Sequence, residues 1–344
     1  MKSLVVNQDG KLEVQEVDMP EITEHQALVK MLSCGICGTD ATIVQRTFKG
    51  FGTENYSLVL GHEGFGEVVE VGSAVTRYKK GDRVILPFVP APRQNGQQIG
   101  SGWGAFSEYG IVDDLDSYPA DAAPETALAQ QVLPESIDPQ EAPVIVTLRE
   151  VLSTIRYFNI DPDETVLVYG SGPVAMAFVK LLRLSGVSDV VSVVRSAEKA
   201  ALMQGFGATR CINSREEDIG IAVKGLYPDG VKYVLDAVGS KEILNEALTL
   251  LKDRGEVLCY GVPKANAMEL DWSSAPYNWK LNFQQMPYKE EEAQCHDQIM
   301  EWLGQGTLSL SEFISEIVDF EEVLEAFGRY LDGQTSKKVV VNFN

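Results

Sequence analysis

No stretch of this sequence is apolar for long enough to cross a bilayer. The longest runs, such as Val190 to Val194, fall far short of the roughly 20 residues a membrane helix requires. The amino-terminal MKSLVVNQDGKLEV lacks the long apolar core and small-residue cleavage site of a secretory signal. It reads instead as a strand, a turn at Asp9-Gly10 and a second strand. Basic side chains are also scarce: 29 Lys and Arg stand against 50 Asp and Glu, for a net charge of −21. Nucleic acid and anionic membrane both require a basic face, so neither is an expected partner. The five cysteines (Cys34, Cys37, Cys211, Cys259 and Cys295) are odd in number and scattered. That pattern argues against a disulfide framework and fits a reducing cytoplasm. Internal repeats and low-complexity tracts are absent as well.

A chain of 344 residues exceeds what one hydrophobic core usually organises, so two domains are expected. Residues 1 to about 85 read as short strands between turn signals. They include Gln26 to Leu32, the alternating GFGEVVEV of Gly64 to Val71, and Arg83 to Leu86. Strands so closely spaced predict an antiparallel β-rich barrel or sandwich. Pro87 to Trp103, rich in Pro, Gly, Gln and Asn, reads as a surface loop.

Near residue 140 the rhythm changes. A helix over Ala142 to Phe158 precedes a strand at Thr165 to Tyr169, a helix at Val174 to Leu184, a strand at Asp189 to Val194 and a helix at Glu198 to Phe206. Strand and helix keep alternating through Tyr233 to Asp236 and Glu256 to Tyr260, which predicts an α/β, doubly wound parallel sheet. Beyond about residue 285, Asp319 and Glu322 suggest a capping box opening a helix from Phe320 to Leu331, and Lys337 to Val341 a closing strand. The expected domains are therefore 1–145, completed by 286–344, and 146–285.

Two constellations carry chemistry. Gly170, Gly172 and Ala175 stand in G-x-G-x-x-A order between a strand and a helix. The first glycine permits a tight turn, the second lets backbone approach a pyrophosphate, and the small third residue lets helix pack on strand. The bland alternative is a glycine-rich turn that binds nothing. At the end of the next strand an NAD site usually carries a carboxylate for the ribose hydroxyls, but Val194 stands there, followed by Arg195, Ser196 and, nearby, Lys199. Losing the carboxylate removes repulsion, and a guanidinium can grip a 2′-phosphate, so NADP(H) is favoured over NAD(H). Arg195 stacking on adenine in an NAD enzyme is the competing reading. The expected dinucleotide contacts are Gly170, Gly172, Pro173, Val174, Arg195, Ser196, Lys199, Val238, Gly261 and Val262.

The second constellation joins C34-G-I-C-G-T-D40 to G61-H-E-G further along. Cys37, His62 and Glu63 offer thiolate, imidazole and carboxylate, which suit zinc and leave a fourth position open. His62 and Glu63 are adjacent, so both can ligate one ion only from a bent backbone, which the flanking glycines permit. Taken singly, Cys37 could be a buried apolar cysteine and His62 a satisfied core histidine. A redox reading of Cys34 and Cys37 as C-x-x-C finds no second such pair and no thioredoxin-like context, so Cys34 reads as a packed neighbour.

With these motifs in this order, the chain resembles the zinc-containing medium-chain alcohol dehydrogenase family over essentially its whole length, nearest its sorbitol, threonine and polyol branch. The matching positions are Gly35 to Asp40, Gly61, His62, Glu63, Gly66, Gly72, Val75, Gly81 to Val84 and Gly170 to Pro173. The resemblance implies a GroES-like catalytic domain, a Rossmann domain, a homodimer or homotetramer, and hydride transfer between a secondary alcohol, of polyol or sugar type, and NAD(P). It implies catalytic roles for Cys37, Thr39, His62 and Glu63, with zinc on Cys37, His62 and Glu63 and Thr39 opening a proton relay. Phe88 to Glu108 lacks the four cysteines of the family's structural zinc, which implies one catalytic zinc and no structural zinc. Val146 stands where many members carry an acidic or cysteine metal-site residue, leaving Glu63 and water to complete the shell, and Thr42 replaces a relay histidine. The competing functions are a metal-free quinone or enoyl reductase of the same fold and a non-catalytic NADPH-binding protein.

Overall fold

Alternation along the strand Gln26–Ile36, which buries Ala27, Val29 and Met31 completely, makes it the centre of the first sheet. The computed structural model describes residues 1–119, 122–263 and 267–343. They form two units, Met1–Arg149 with Tyr288–Asn344, and Glu150–Pro287.

In the first unit, Gln26–Ile36 pairs antiparallel with Glu63–Val71 along one edge. Its other edge is shared between Tyr109–Asp113 and the C-terminal strand Lys338–Asn342. Arg83–Ile85 extends the sheet beyond Glu63–Val71, and Ile314–Asp319 lies parallel to Lys338–Asn342. A smaller sheet runs Leu12–Glu16, Lys2–Val6, Leu58–Val59, Gly100–Ser101. Leu4, Leu58, Leu60, Phe106, Phe327 and Val341 share one buried cluster. The helix Val323–Leu331 contributes Val323, Ala326 and Phe327 to it, the i, i+3, i+4 stripe of an amphipathic helix.

Two local expectations need correction. Pro87 to Trp103 is more than a surface loop: Phe88 and Val89 are buried, and Arg93–Gln94 pairs with Gln97–Gln98. The apolar pair at its start has core to fill, which composition averaged over the segment conceals. The Asp319–Glu322 capping box does not form. Phe320–Glu322 is a turn of 3₁₀ helix, neither acid caps it through its side chain, and Asp319 Oδ1 instead accepts from Asn342 Nδ2 at 3.4 Å.

The second unit is a six-stranded parallel sheet in the order Arg210–Asn213, Val190–Val194, Val166–Tyr169, Val231–Asp236, Leu251–Cys259, Trp279–Phe283. Counted along the chain this is 3-2-1-4-5-6, the doubly wound order whose direction reverses between the first and fourth strands. All four residues of Val166–Tyr169 and all five of Val190–Val194 are buried, as strands in the middle of a parallel sheet must be. Among the described residues no helix is long and apolar enough to cross a membrane.

Arg149, on the helix Val144–Phe158, is fully buried. Its guanidinium donates to the carbonyls of Ala129 at 3.0 Å and Glu292 at 3.2 Å, tying residues 288–304 to the first unit. Burial and the Arg149 charge push the nearby His296 down to about 4, so it stays neutral. Replacing Arg149 with Met strands two buried carbonyls at about 1–3 kcal/mol each. Thermal unfolding of Arg149→Met is therefore expected several degrees below wild type, and an unchanged melting temperature would show the staple to be dispensable.

Candidate active site

Cys37 follows the central strand directly and is the N-cap of the short helix Gly38–Val44. The third helical residue, Asp40, is fully buried and accepts the Cys37 N–H with Oδ2 at 3.0 Å. Its Oδ1 lies 3.4 Å from His62 Nδ1. One carboxylate thus fixes the cysteine backbone and faces the imidazole, leaving Nε2 for another partner. Burial works against an imidazolium, but Asp40 and Cys37 outweigh it and hold His62 well above its ordinary value.

His62 and Glu63 reach the same place because Gly61 bends the backbone at φ +104°; a Cβ there would also lie 2.5 Å from Phe106 N. Glu63 starts the strand Glu63–Val71 opposite Gly35, where a Cβ would fall 2.2 Å from Glu63 Oε2. Only glycine at 35 leaves room for the carboxylate. Glu63 Oε1 accepts from Lys338 Nζ at 2.7 Å and from Thr147 Oγ1 at 2.8 Å, while Oε2 is buried without a partner. Burial alone would raise Glu63, but Lys338 and His62 hold it below the usual carboxylate range. Lys338, itself buried, is held above the ordinary lysine value against desolvation by Glu63.

Ligand atoms of Cys37, His62 and Glu63 all lie within 4.8 Å of one another, the only such cluster among the described residues. The site fits a divalent cation on two grounds. Glu63 Oε2 is a buried acceptor with no donor. Sulfur, imidazole and carboxylate donors from Cys37, His62 and Glu63 are a set that zinc accepts, and they stand close enough to share one ion.

Sequence reasoning placed Gly35 and Asp40 in the family's turn without giving either a role, and missed Thr147 and Lys338. Asp40 was detectable as an acid at the third position of a helix, and Lys338 as a lysine opening the apolar run VVV. Nothing marked Thr147, although its neighbour Val146, apolar and buried, had been the focus. The polar group at this point of the helix sits one residue further on. Thr39 is half-buried, and its carbonyl accepts the Thr42 hydroxyl at 2.8 Å. Cys34 is fully buried, and desolvation raises its thiol well above the ordinary value. Trp103 places its ring 5.3 Å from that of His62.

In the second unit, Gly170 turns at φ +118° after the strand Val166–Tyr169, and a Cβ there would come within 3.3 Å of Ala175 Cβ. Gly172 caps the helix Pro173–Leu184, whose first residue is the proline favoured at that position. A Cβ at Gly172 would meet no protein atom within 4 Å. The backbone amides of Val174 and Ala175 precede the first helical bond, from Met176 N–H to Gly172 O at 3.0 Å. Open space before free amides at a helix N-terminus fits a pyrophosphate.

Val194 is buried and Arg195 exposed. The Ser196 hydroxyl accepts the Lys199 N–H at 3.2 Å, so this serine caps the helix Ala197–Gly205. Val238 is half-exposed, with Cγ2 3.2 Å from where a Gly170 Cβ would be. The two therefore meet at the carboxyl ends of the first and fourth strands. Buried Asp236 accepts from Val238 N and Gly239 N, at 2.8 and 2.9 Å. Gly261 lies against this turn so closely that a Cβ would fall 2.2 Å from Gly239 N, and Val262 backbone crowds Gly239 likewise. Packing alone demands glycine at 261.

Residues 23–121 match the family described as the alcohol dehydrogenase GroES-like domain, and residues 173–286 the zinc-binding dehydrogenase family. The sorbitol dehydrogenase of Bacillus subtilis (strain 168) is 24% identical, over 96% of this chain and 94% of its own. An alcohol dehydrogenase of Geobacillus stearothermophilus is 27% identical, over 99% and 98%. The crystal structure of 2R,3R-butanediol dehydrogenase from Bacillus subtilis superposes with a TM-score of 0.81 at 20% identity, covering 100% of this chain and 99% of that one. Both domain matches and this full-length similarity identify the chain as a member of the zinc-dependent medium-chain alcohol dehydrogenase family.

Proposed function

We propose that this dehydrogenase oxidises a secondary alcohol of polyol or sugar type, or reduces the corresponding ketone, with one zinc held by Cys37, His62 and Glu63 and with NADP(H) preferred to NAD(H). The observation that carries the reading is the convergence of those three donor groups within 4.8 Å of one another, with Glu63 Oε2 unpartnered. It argues against a metal-free reductase and a non-catalytic nucleotide binder, neither of which needs a soft and a hard donor brought together beside an imidazole.

A zinc ion bound there supplies Lewis acidity toward the substrate oxygen, and a bound nicotinamide supplies the hydride carrier. The chain's own residues do the positioning. Asp40 orients His62, Lys338 and Thr147 hold one oxygen of Glu63 so that the other faces the site, and the Thr39 hydroxyl passes the alcohol proton. In the second unit, Gly170, Gly172, Pro173 and Val174 form the pyrophosphate turn, with Val238 beside it. Arg195, exposed past the buried Val194, meets the adenosine ribose phosphate. Ser196 and Lys199 support that turn by capping.

Five free thiols suit a reducing cytoplasm. A homodimer or homotetramer is supported by the strand Trp279–Phe283. It closes the parallel sheet and, among the described residues, pairs with Leu251–Cys259 alone, while Trp272, Tyr277 and Phe283 are exposed.

Purified protein should retain about one zinc per chain and lose it, with polyol oxidation, in Cys37→Ser and Glu63→Gln. Metal-free wild type with chelator-resistant activity would refute the ligand set. Arg195→Asp should lower the ratio of kcat/KM for NADP⁺ over NAD⁺ by about 10- to 100-fold, the worth of a charge-assisted pair. An unchanged ratio removes Arg195 from the cofactor site. Light scattering should return a mass two or four times 37.7 kDa, and a monomer at micromolar concentration would dismiss the edge-strand argument.

A further inference from the structure

Trp103 holds a backbone conformation that its side chain disfavours. Its φ is +69°, in the left-handed region where a bulky residue is an outlier and glycine or asparagine is at ease. The chain pins it there: Trp103 O accepts the Val89 N–H at 2.7 Å, and Gly104, at φ +84°, has no room for a Cβ beside Val89. Backbone geometry therefore does not account for an indole at this position, and core filling accounts for part of it, because the residue packs against the buried cluster on one side and stays partly exposed on the other.

What the indole does touch is specific. Its ring lies 5.3 Å from His62 and meets Phe48 and Phe51 edge-on, each at 6.2 Å. Phe48 is buried behind, whereas Phe51, like Trp103, remains partly exposed. Cys37 and Thr39 are also partly exposed, so the accessible side of the ligand cluster has an aromatic flank. Residues kept in strained conformations concentrate where function requires them.

We propose that the Trp103 indole, backed by Phe51, is the wall against which the carbon substituent of the alcohol packs, making Trp103 a specificity-determining residue for carbinols that present a C–H or aryl face. This rests on the alcohol dehydrogenase reading above. The ring excludes water from one side of the substrate and offers dispersion contact, but no hydrogen bond to a hydroxyl at its face. Discrimination then grows with the apolar area that a substituent lays on the ring.

The test compares propan-2-ol, too small to cover an indole, with cyclohexanol and 1-phenylethanol. In Trp103→Ala, kcat/KM for the two larger alcohols should fall about 10- to 200-fold, while that for propan-2-ol changes less than about threefold. Trp103→Phe should keep most of the discrimination. An equal fall for all three alcohols, or none, would overturn the proposal, the equal fall meaning that the indole only shields His62. Cyclohexanol should also blue-shift the tryptophan emission of wild type, by displacing water from the Trp103 ring, and not that of Trp103→Phe, whether or not any alcohol turns over. A shift without turnover would sink the dehydrogenase reading and leave the wall standing; no shift removes the wall. Trp103→Gly should melt about 2–4 °C above Trp103→Ala, since glycine alone relieves the positive φ. The reverse order would show the backbone to be unstrained and remove that leg of the proposal.

Discussion

The first unit depends on one buried ion pair. Glu63 and Lys338 lie 2.7 Å apart with almost no exposure, joining the strand that begins at Glu63 to the C-terminal strand, which lie on opposite edges of Gln26–Ile36. Burying either charge alone would be prohibitive, and together they are tolerated only because Thr147 supplies a further bond and Gly35 leaves the space. The pair satisfies one carboxylate oxygen and leaves the other buried without a donor. The Glu63 carboxylate is thereby held by a residue 275 positions further along the chain.

The two units present opposite electrostatic demands. Around Cys37, sulfur, imidazole and carboxylate donors converge with one carboxylate oxygen unpartnered, a set that suits a cation. At Gly172, free amides at the start of a helix face open space, so the turn calls for an anion. Neither demand can be met by rearranging local side chains. Asp40 is committed to Cys37 N–H and His62, Glu63 to Lys338 and Thr147, and the amides precede the first bond of their helix.

Glycine carries much of this architecture, for reasons that differ by position. Gly61 and Gly170 hold dihedrals that a side chain resists, Gly35 makes way for a carboxylate, and Gly261 makes way for backbone. Of these five, Gly172 is the one with nothing in front of it. In sequence these are the same letter, and only the surroundings separate a turn from a clearance from a vacant approach.

The sequence by itself made legible the fold class, four of the six strands of the parallel sheet, and the pairing of a cysteine turn with Gly61-His62-Glu63, but not the strands Arg210–Asn213 and Trp279–Phe283. Those features arise from short-range rules: periodicity two or 3.6, a glycine turn between strand and helix, and donors of the right softness. It could not say that Lys338 would answer Glu63 across 275 positions, that Thr147 would supply the polar contact expected at Val146, or that Asp319 would turn from its helix toward Asn342. Nor could it say that Trp103 would stand in a left-handed backbone against His62. Each of these depends on which strands become neighbours and in what register. That is decided by burial of the whole core, and no local pattern encodes it.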